Sequence, residues 1–213
     1  MALAPLTTVE PVDVCARVPA RCLVVVLVLD ESHGGDQVMA RPGICSIAAL
    51  RGRRVAVMPS TLGPFVLSRA HALHGLSLKD VQLRPVNPGA MLRALVRGDV
   101  EAAATYPAFS VRAAQQARAT VICDSRRIPA EVFDVLAVDP ALLQKQPDVI
   151  VRPVRSWQAA HALRRSHPDQ TVTLMARRER LTPAHFTASE QGLRYPGAPL
   201  PGVSDGGVVA ASR

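Results

Sequence analysis

Between residues 53 and 124, short apolar strands alternate with amphipathic helices, and this alternation restricts the possible folds more than any other feature of the sequence. Strands are predicted at residues 54–58, 81–86, 100–105 and 119–123. The intervening helices carry apolar residues at helical spacing, and Gly75 and Gly98 are placed to end the first two. Strand–helix alternation of this kind predicts right-handed βαβ crossovers and a parallel sheet.

The flanking regions contain one clear strand and a series of helices. Residues 23–29 form a β-branched apolar run that ends in a polar cluster, which predicts a strand buried on both faces. After residue 124 we expect a strand at 131–138. Helices are predicted at 140–146, 149–165 and 168–178, and a further one is capped by Thr182. The Gly-, Pro- and Ser-rich tail, residues 196–213, is predicted to be disordered.

Composition argues against a nucleic-acid-binding protein or a membrane-spanning chain. The net charge of +8 comes from dispersed arginines without a basic stripe, and aromatic residues make up only 3% of the chain. The strongest apolar run, residues 23–29, is seven residues long, whereas a bilayer span needs about 20. The first residues lack the basic and apolar regions of a secretory leader.

Cysteine and histidine do not form a metal-binding pattern. Cys15 and Cys22 could bridge in an oxidising compartment, but we expect buried free thiols. His71 and His74 lie three residues apart without a third ligand, and we expect both on the surface. The sequence also lacks a Gly-x-Ser-x-Gly elbow, a Walker loop and a dinucleotide fingerprint. We therefore expect no enzyme activity, no cofactor and no metal.

Polar side chains follow the predicted strands at the point where each strand ends. In open α/β sheets, ligands bind outside the carboxyl ends of the strands, so these side chains are candidates for a solute site. The amides at the start of the helix after residue 61 could receive an anionic group, and Tyr106 offers an apolar face and a hydroxyl. The candidate ligand-binding residues are Asp30, Ser32, Ser60, Thr61, Thr105, Tyr106, Asp124 and Ser125.

An ordered series of segments resembles a known family. Residues 47–57, Ile-Ala-Ala-Leu-Arg-Gly-Arg-Arg-Val-Ala-Val, look like the opening of the second lobe in type II periplasmic binding proteins of the nitrate/sulfonate/taurine branch. The likeness continues through residues 75–81, 98–103 and 105–107, and through the helical segments around Trp157 and residues 167–169. It covers roughly residues 23–192.

The resemblance implies an α/β fold of the type II periplasmic binding protein class, with two lobes of parallel-rich sheets, the first incomplete. Residues 1–43 would be a remnant of the first lobe, entering at the helix of residues 6–15. Residues 44–124 would form the second lobe, and residues 125–195 would return to the first.

The implied function is that of the substrate-binding component of an ABC importer. It would be a periplasmic monomer that delivers a small solute to a membrane permease. The expected solute is an organic anion such as a sulfonate or taurine, or else nitrate. Without a leader, the chain as given would stay in the cytoplasm.

Other readings of the same fold remain open. One is a cytoplasmic biosynthetic enzyme, and another is a binding protein for a pyrimidine precursor of thiamine. A degenerate gene product that binds nothing is a further alternative. A transcription regulator would need a helix-turn-helix, which residues 1–43 do not contain.

Overall fold

The structure is a computed structural model that describes residues 3–59, 61–107, 109–196, 203–204 and 207–208. The strands are β1 (Leu3–Thr7), β2 (Val24–Ser32), β3 (Gln37–Ala40), β4 (Arg54–Val57), β5 (Gln82–Pro85), β6 (Ala102–Thr105), β7 (Thr120–Asp124), β8 (Phe133–Val138), β9 (Leu193–Arg194), β10 (Val203–Ser204) and β11 (Gly207–Val208). The helices are α1 (Val9–Arg17), α2 (Leu62–Ala72), α3 (Pro88–Arg97), α4 (Phe109–Ala117), α5 (Pro140–Lys145), α6 (Pro147–Ser166), α7 (Pro168–Glu179) and α8 (Pro183–Glu190).

The chain divides into two compact units. Unit 1 comprises Met1–Glu31, Phe133–Phe186 and Tyr195–Arg213, and unit 2 comprises Ser32–Val132 and Thr187–Arg194. The predicted second lobe, residues 44–124, lies within unit 2. That unit also contains β3, which pairs with β6 and β7, and the turn that directly follows β7.

Unit 1 is built on an antiparallel sheet in which β8 lies between β1 and β2. Its core includes Val26, Leu136, Ile150 and Val154, so α6 packs on the sheet with its buried residues. The prediction that residues 23–29 are buried on both faces is wrong, since Val25 is 36% exposed. An antiparallel strand can turn one face to solvent, unlike a strand covered by helices on both sides.

Unit 2 contains a five-stranded sheet with the order β5-β4-β6-β3-β7. Strand β4 runs parallel to β5 and β6, whereas β3 runs antiparallel to β6 and β7. The predicted strand–helix units and the parallel pairings of β4 are therefore present, but the sheet also contains the antiparallel strand β3, which was not predicted. The missed strand is β3, which lies between β6 and β7.

Local chemistry explains where the helices of unit 2 begin and end. The Asn87 side chain accepts a hydrogen bond from the amide of Ala90 at 3.2 Å and caps α3. Gly98 ends that helix with φ +82, a conformation that glycine adopts without strain. Buried apolar residues of α3 and α4, among them Leu95 and Ala113, then pack on the sheet.

Several local predictions need correction. The helix expected at residues 6–15 is α1, which begins at Val9, because residues 3–7 pair with β8 as a strand. Cys15 and Cys22 form a disulfide instead of being free thiols. Cys45 is free and exposed, and Cys123 is free and partly buried.

The tail and one histidine also differ from expectation. Most of residues 196–213 lies outside the described residues, but β10 and β11 pair antiparallel within it. His71 is fully buried instead of lying on the surface, and its Nδ1 lies 2.8 Å from the carbonyl oxygen of Leu67. It occupies the inner face of α2.

Candidate functional site

Residues from distant parts of the sequence meet at one edge of the unit 2 sheet. Strands β4, β6 and β7 point in the same direction, and β3 starts at the edge where they end. In the register of the sheet, Gln37 lies opposite Thr105 on one side and Asp124 on the other. The sheet therefore brings the predicted residues after β6 and β7 to one edge.

A small pocket, with a cavity volume of about 10 Å³, lies at this edge. Three of the predicted residues line it: Thr61, Thr105 and Tyr106. Ser60, predicted with them, lies outside the described residues. The remaining lining residues, which sequence reasoning did not select, are Asp36, Met58, Gly63, Val66, Met91, Ala104 and Phe109.

Tyr106 gives the pocket an aromatic wall and a hydroxyl. Its ring is packed edge-on against Phe109, with centroids 5.1 Å apart and an interplanar angle of 74°. Burial raises the pKa of the Tyr106 hydroxyl, and the negative charge of Asp36 raises it further. The phenol therefore stays protonated at neutral pH and can donate a hydrogen bond.

The start of α2 faces this pocket through Thr61 and Gly63. Thr61 occupies the N-cap position, but its hydroxyl donates to the carbonyl of Met58 at 2.8 Å and makes no capping bond. The Thr61 side chain therefore does not satisfy the first amides of α2, as an N-cap side chain usually does. Amides at the start of a helix can bind an acceptor or anionic group.

A tight loop, residues 33–36, holds Asp36 at the pocket. The amide of Asp36 donates to the Ser32 hydroxyl at 2.9 Å, and its carbonyl accepts from the amide of Ser125 at 2.9 Å. The amide of Gly34 donates to the Ser125 hydroxyl at 2.7 Å, and the two hydroxyls lie 2.9 Å apart. The amide and the carbonyl of Asp36 are therefore both held by hydrogen bonds, and Asp36 is only 9% exposed.

Gly192 closes the same loop from the opposite end of the sequence. Its carbonyl accepts hydrogen bonds from the amides of His33 at 2.7 Å and Gly35 at 3.0 Å. A Cβ at Gly192 would lie 2.4 Å from the backbone nitrogen of Gly35, so the approach requires glycine. Within unit 2, this contact joins residues 187–194 to the loop that carries Asp36.

The other predicted residues have different surroundings. Ser32 and Ser125 are buried in the loop framework, and Asp124 accepts hydrogen bonds from the Arg126 amide and side chain at 3.0 Å. The Arg126 guanidinium holds the pKa of Asp124 below its usual range. Contact of these three with a solute stays a prediction.

Asp30 does not share this sheet. It lies in β2 of unit 1, opposite Asp134 in the register with β8. The run of residues 30–32 was interpreted as a turn after the strand, but β2 continues to Ser32. The expectation that Asp30 lies at the same edge as the other candidates is therefore wrong.

A second cavity of about 200 Å³ in unit 2 has a neutral lining. Its polar groups come from Gln37, Ser110 and Ser189, and its apolar wall includes Met39 and Val111. Asp36 lines the first pocket but not this one.

Metal sites and membrane spans were sought in the described part of the chain. There, no three residues among His, Cys, Asp and Glu come together as a metal site. None of the helices described is long and apolar enough to span a membrane.

The fold is that of known solute-binding proteins. The periplasmic aliphatic sulphonate binding protein SsuA from Escherichia coli matches with a TM-score of 0.79 and 20% identity, over 93% of this chain and 65% of that one. The desulfurization enzyme DSZB matches with a TM-score of 0.63 and 19% identity, over 89% of this chain and 69% of that one. The chain thus has the α/β fold of type II periplasmic binding proteins, as the resemblance implied.

Sequence similarity places the chain in a family. The model of the family described as NMT1/THI5 like matches residues 19–171, and the chain belongs to that family. A protein of Brucella abortus (strain 2308), named only as a binding protein, is 23% identical over 162 residues, which are 75% of this chain and 51% of that protein. The chain spans about half the length of the curated relatives it matches.

Proposed function

We propose that the chain is a solute-binding protein whose ligand site is the pocket at the unit 2 sheet edge. The observation that carries this proposal is the convergence of Thr61, Thr105 and Tyr106 on one pocket together with Asp36. Two hydroxyl groups, a protonated phenol and a carboxylate around an apolar wall are typical of a site that orients a small organic molecule.

The wider role proposed is that of the substrate-binding component of an ABC importer, which captures its solute outside the inner membrane and passes it to a permease. Support comes from membership of the family and from the likeness to a sulphonate-binding protein. The proposed solute is an organic anion such as a sulfonate or taurine, or else nitrate. The amides at the start of α2, which the Thr61 side chain does not cap, would bind its anionic end.

The test is thermal unfolding of the purified chain with and without a panel of solutes. A ligand that binds only the folded state adds about 2.7 kcal/mol of stability at a hundredfold excess over its dissociation constant. The panel contains taurine, alkanesulfonates, nitrate and a pyrimidine precursor of thiamine. We expect a saturable rise of the midpoint with at least one of them, and a transition that none of them moves would contradict the proposal.

A second candidate is an enzyme on the same fold, and the likeness to DSZB favours it. A cysteine nucleophile would have to lie in the pocket, but no cysteine is among the described residues that line it. Burial raises the pKa of the Cys123 thiol, which disfavours the reactive thiolate. These features argue for binding rather than covalent catalysis.

The two candidates are separated by incubating the chain with biphenyl-2-sulfinic acid, the compound bound in a DSZB mutant structure, and assaying sulfite. Catalytic release of sulfite would establish the enzyme. Saturable binding of a solute without turnover would support the solute-binding protein.

A further inference from the structure

We propose that the second cavity of unit 2 binds a small neutral molecule that carries an amide group. Its volume is about 200 Å³. An apolar cavity of about 150 Å³ holds benzene, so this one has room for a molecule of about seven to nine heavy atoms. It shares no described lining residue with the pocket at the sheet edge, so the proposal adds a second site to the proposed function.

The sheet of unit 2 forms one wall of this cavity. Gln37 and Met39 are two residues apart in β3, so their side chains lie on the same face of the sheet. Val121 of β7 lies opposite Met39 in the register and extends that wall. Met39 is 2% exposed, whereas Val121 is 44% exposed. The wall therefore runs from the buried interior to the surface, and a small molecule can enter from solvent.

Helix α4 forms another wall and contributes different residues to the two sites. Ser110 and Ala114 are four residues apart, so they share one face of the helix, and both line the cavity. Phe109 lines the pocket at the sheet edge instead. A substitution on α4 can therefore be directed at one site without altering the lining of the other.

The Ser110 hydroxyl carries the first chemical step. Ser110 is only 7% exposed, and its hydroxyl makes no hydrogen bond to any residue that the structure describes. A buried hydroxyl without a partner destabilises the folded state, and a bound molecule that supplies the partner removes this penalty. Since a hydroxyl both donates and accepts, it matches a ligand carbonyl or N–H.

Gln37 supplies an acceptor to the same cavity. Its Nε2 donates a hydrogen bond to the carbonyl of Gly34 at 2.8 Å, which orients the side-chain amide. The oxygen Oε1 is then the atom that accepts a hydrogen bond from a ligand. An acceptor and a hydroxyl together match an amide, because an amide donates through its N–H and accepts through its carbonyl.

The rest of the lining favours a neutral molecule. Among the described residues that line the cavity, none is Asp, Glu, Lys, Arg or His. Apart from Gln37, Ser110 and Ser189, these residues carry no polar side chain. A charged ligand would therefore lose part of its hydration without gaining an ion pair, whereas the apolar body of a neutral amide would be buried favourably.

The experiment is an NMR titration of the isotope-labelled wild-type chain with matched pairs of probes. Benzamide is paired with benzoate, which has the same shape and a negative charge, and 2-piperidone is paired with cyclohexanone, which lacks the N–H. We expect saturable shifts of the backbone amides of Ser110, Ala114 and Val121. Probes of this size should show dissociation constants of about 0.1–10 mM.

The pairs test the charge and the hydrogen bond separately. Benzamide should bind about tenfold or more tightly than benzoate, and 2-piperidone about threefold to tenfold more tightly than cyclohexanone. Equal affinities within either pair would overturn the inference. The absence of saturable shifts at the three amides would also overturn it, since that is the result expected of a cavity that holds only water.

Two variants assign binding to the cavity. Ala114→Leu places a larger side chain on the cavity face of α4, and we expect it to weaken benzamide binding at least about tenfold. Gln116→Leu is the matched control, since Gln116 is an exposed residue of the same helix that does not line the cavity. Ser110→Ala removes the hydroxyl and should weaken benzamide binding about threefold to tenfold. Unchanged affinity in Ala114→Leu would overturn the inference.

The result is separable from the proposed function, which the solute panel decides. Tyr106→Ala changes the pocket at the sheet edge and should leave benzamide affinity unchanged. If Tyr106→Ala weakens benzamide binding as much as Ala114→Leu does, the probe occupies the pocket at the sheet edge and the second site is overturned. If a cavity variant does not fold, the paired probes on the wild-type chain decide the inference alone.

Discussion

Replacing Gly192 with alanine is expected to damage the loop that carries Asp36. A Cβ at this position would lie 2.4 Å from the nitrogen of Gly35, 2.6 Å from its Cα and 2.7 Å from the carbonyl carbon of Gly34. All three are backbone atoms, so no side-chain rotation can relieve the overlap. The backbone of one of the two segments must move.

The expected loss of stability follows from two contributions. Forcing an extra carbon into a filled space costs about 1–3 kcal/mol. The movement also breaks or lengthens the hydrogen bonds from the amides of His33 and Gly35 to the Gly192 carbonyl, each worth about 1 kcal/mol. Together they predict that Gly192→Ala lowers the free energy of unfolding by about 3–5 kcal/mol, a large part of the roughly 5–15 kcal/mol typical of a folded domain.

Urea unfolding followed by circular dichroism measures this loss, and Gly89→Ala is the matched control. Gly89 lies in the first turn of α3, and a Cβ there would meet no atom within 4 Å. Because alanine favours helix over glycine, the control should be neutral or more stable by up to about 1 kcal/mol. A Gly192→Ala variant within about 0.5 kcal/mol of the wild type would refute the proposed contact, since that is the usual range for inert surface changes.

Three more predictions concern the aromatic wall, a buried acid and the disulfide. Tyr106→Ala should weaken solute binding about tenfold or more in calorimetric titration while leaving the fold intact by circular dichroism, and Tyr195→Ala in unit 1 should leave affinity unchanged. Burial raises the pKa of Asp134, so stability from this group is full below the unfolded pKa and is lost as the pH rises through the folded one. Asp134→Asn should therefore be more stable than the wild type in urea at pH 7, and the difference should vanish below about pH 4. Reducing the disulfide between Cys15 and Cys22, seven positions apart, should lower the unfolding free energy by about 2.5 kcal/mol, and an unchanged urea midpoint would contradict this.

The sequence predicted those elements whose signals are local. The caps of α3 directly adjoin the helix in sequence, with Asn87 before it and Gly98 after it. Thr182 likewise precedes α8, and its hydroxyl accepts a hydrogen bond from the amide of His185. Strands β4 and β6 were found because each is apolar and is followed by a polar turn.

The missed elements depend on partners far away in the sequence. Strand β3 has only four residues, and it is defined by pairing with β6 and β7, more than 60 residues later. Because β3 was not predicted, the antiparallel pairing in this sheet was not predicted either. The disulfide depends on the turn that brings Cys15 near Cys22, which the spacing of the two residues does not determine.

The residues of the candidate pocket were predicted in part for the same reason. Thr61, Thr105 and Tyr106 were selected because they follow predicted strands, and all three line the pocket. Asp36 was not selected, because it precedes the strand that was missed. Glycines at positions 34–35 and 43 flank residues 37–40, and this turn signal could have revealed both β3 and the position of Asp36 before it.

The most direct test of the solute site is an NMR titration of the isotope-labelled chain with the solute that raises the thermal midpoint most. The account predicts saturable chemical-shift changes concentrated at the amides of Thr61, Thr105, Tyr106 and Asp36, with one dissociation constant for all of them. Saturable changes centred elsewhere, with these four amides unmoved, would contradict the assignment of the site to this edge of the sheet.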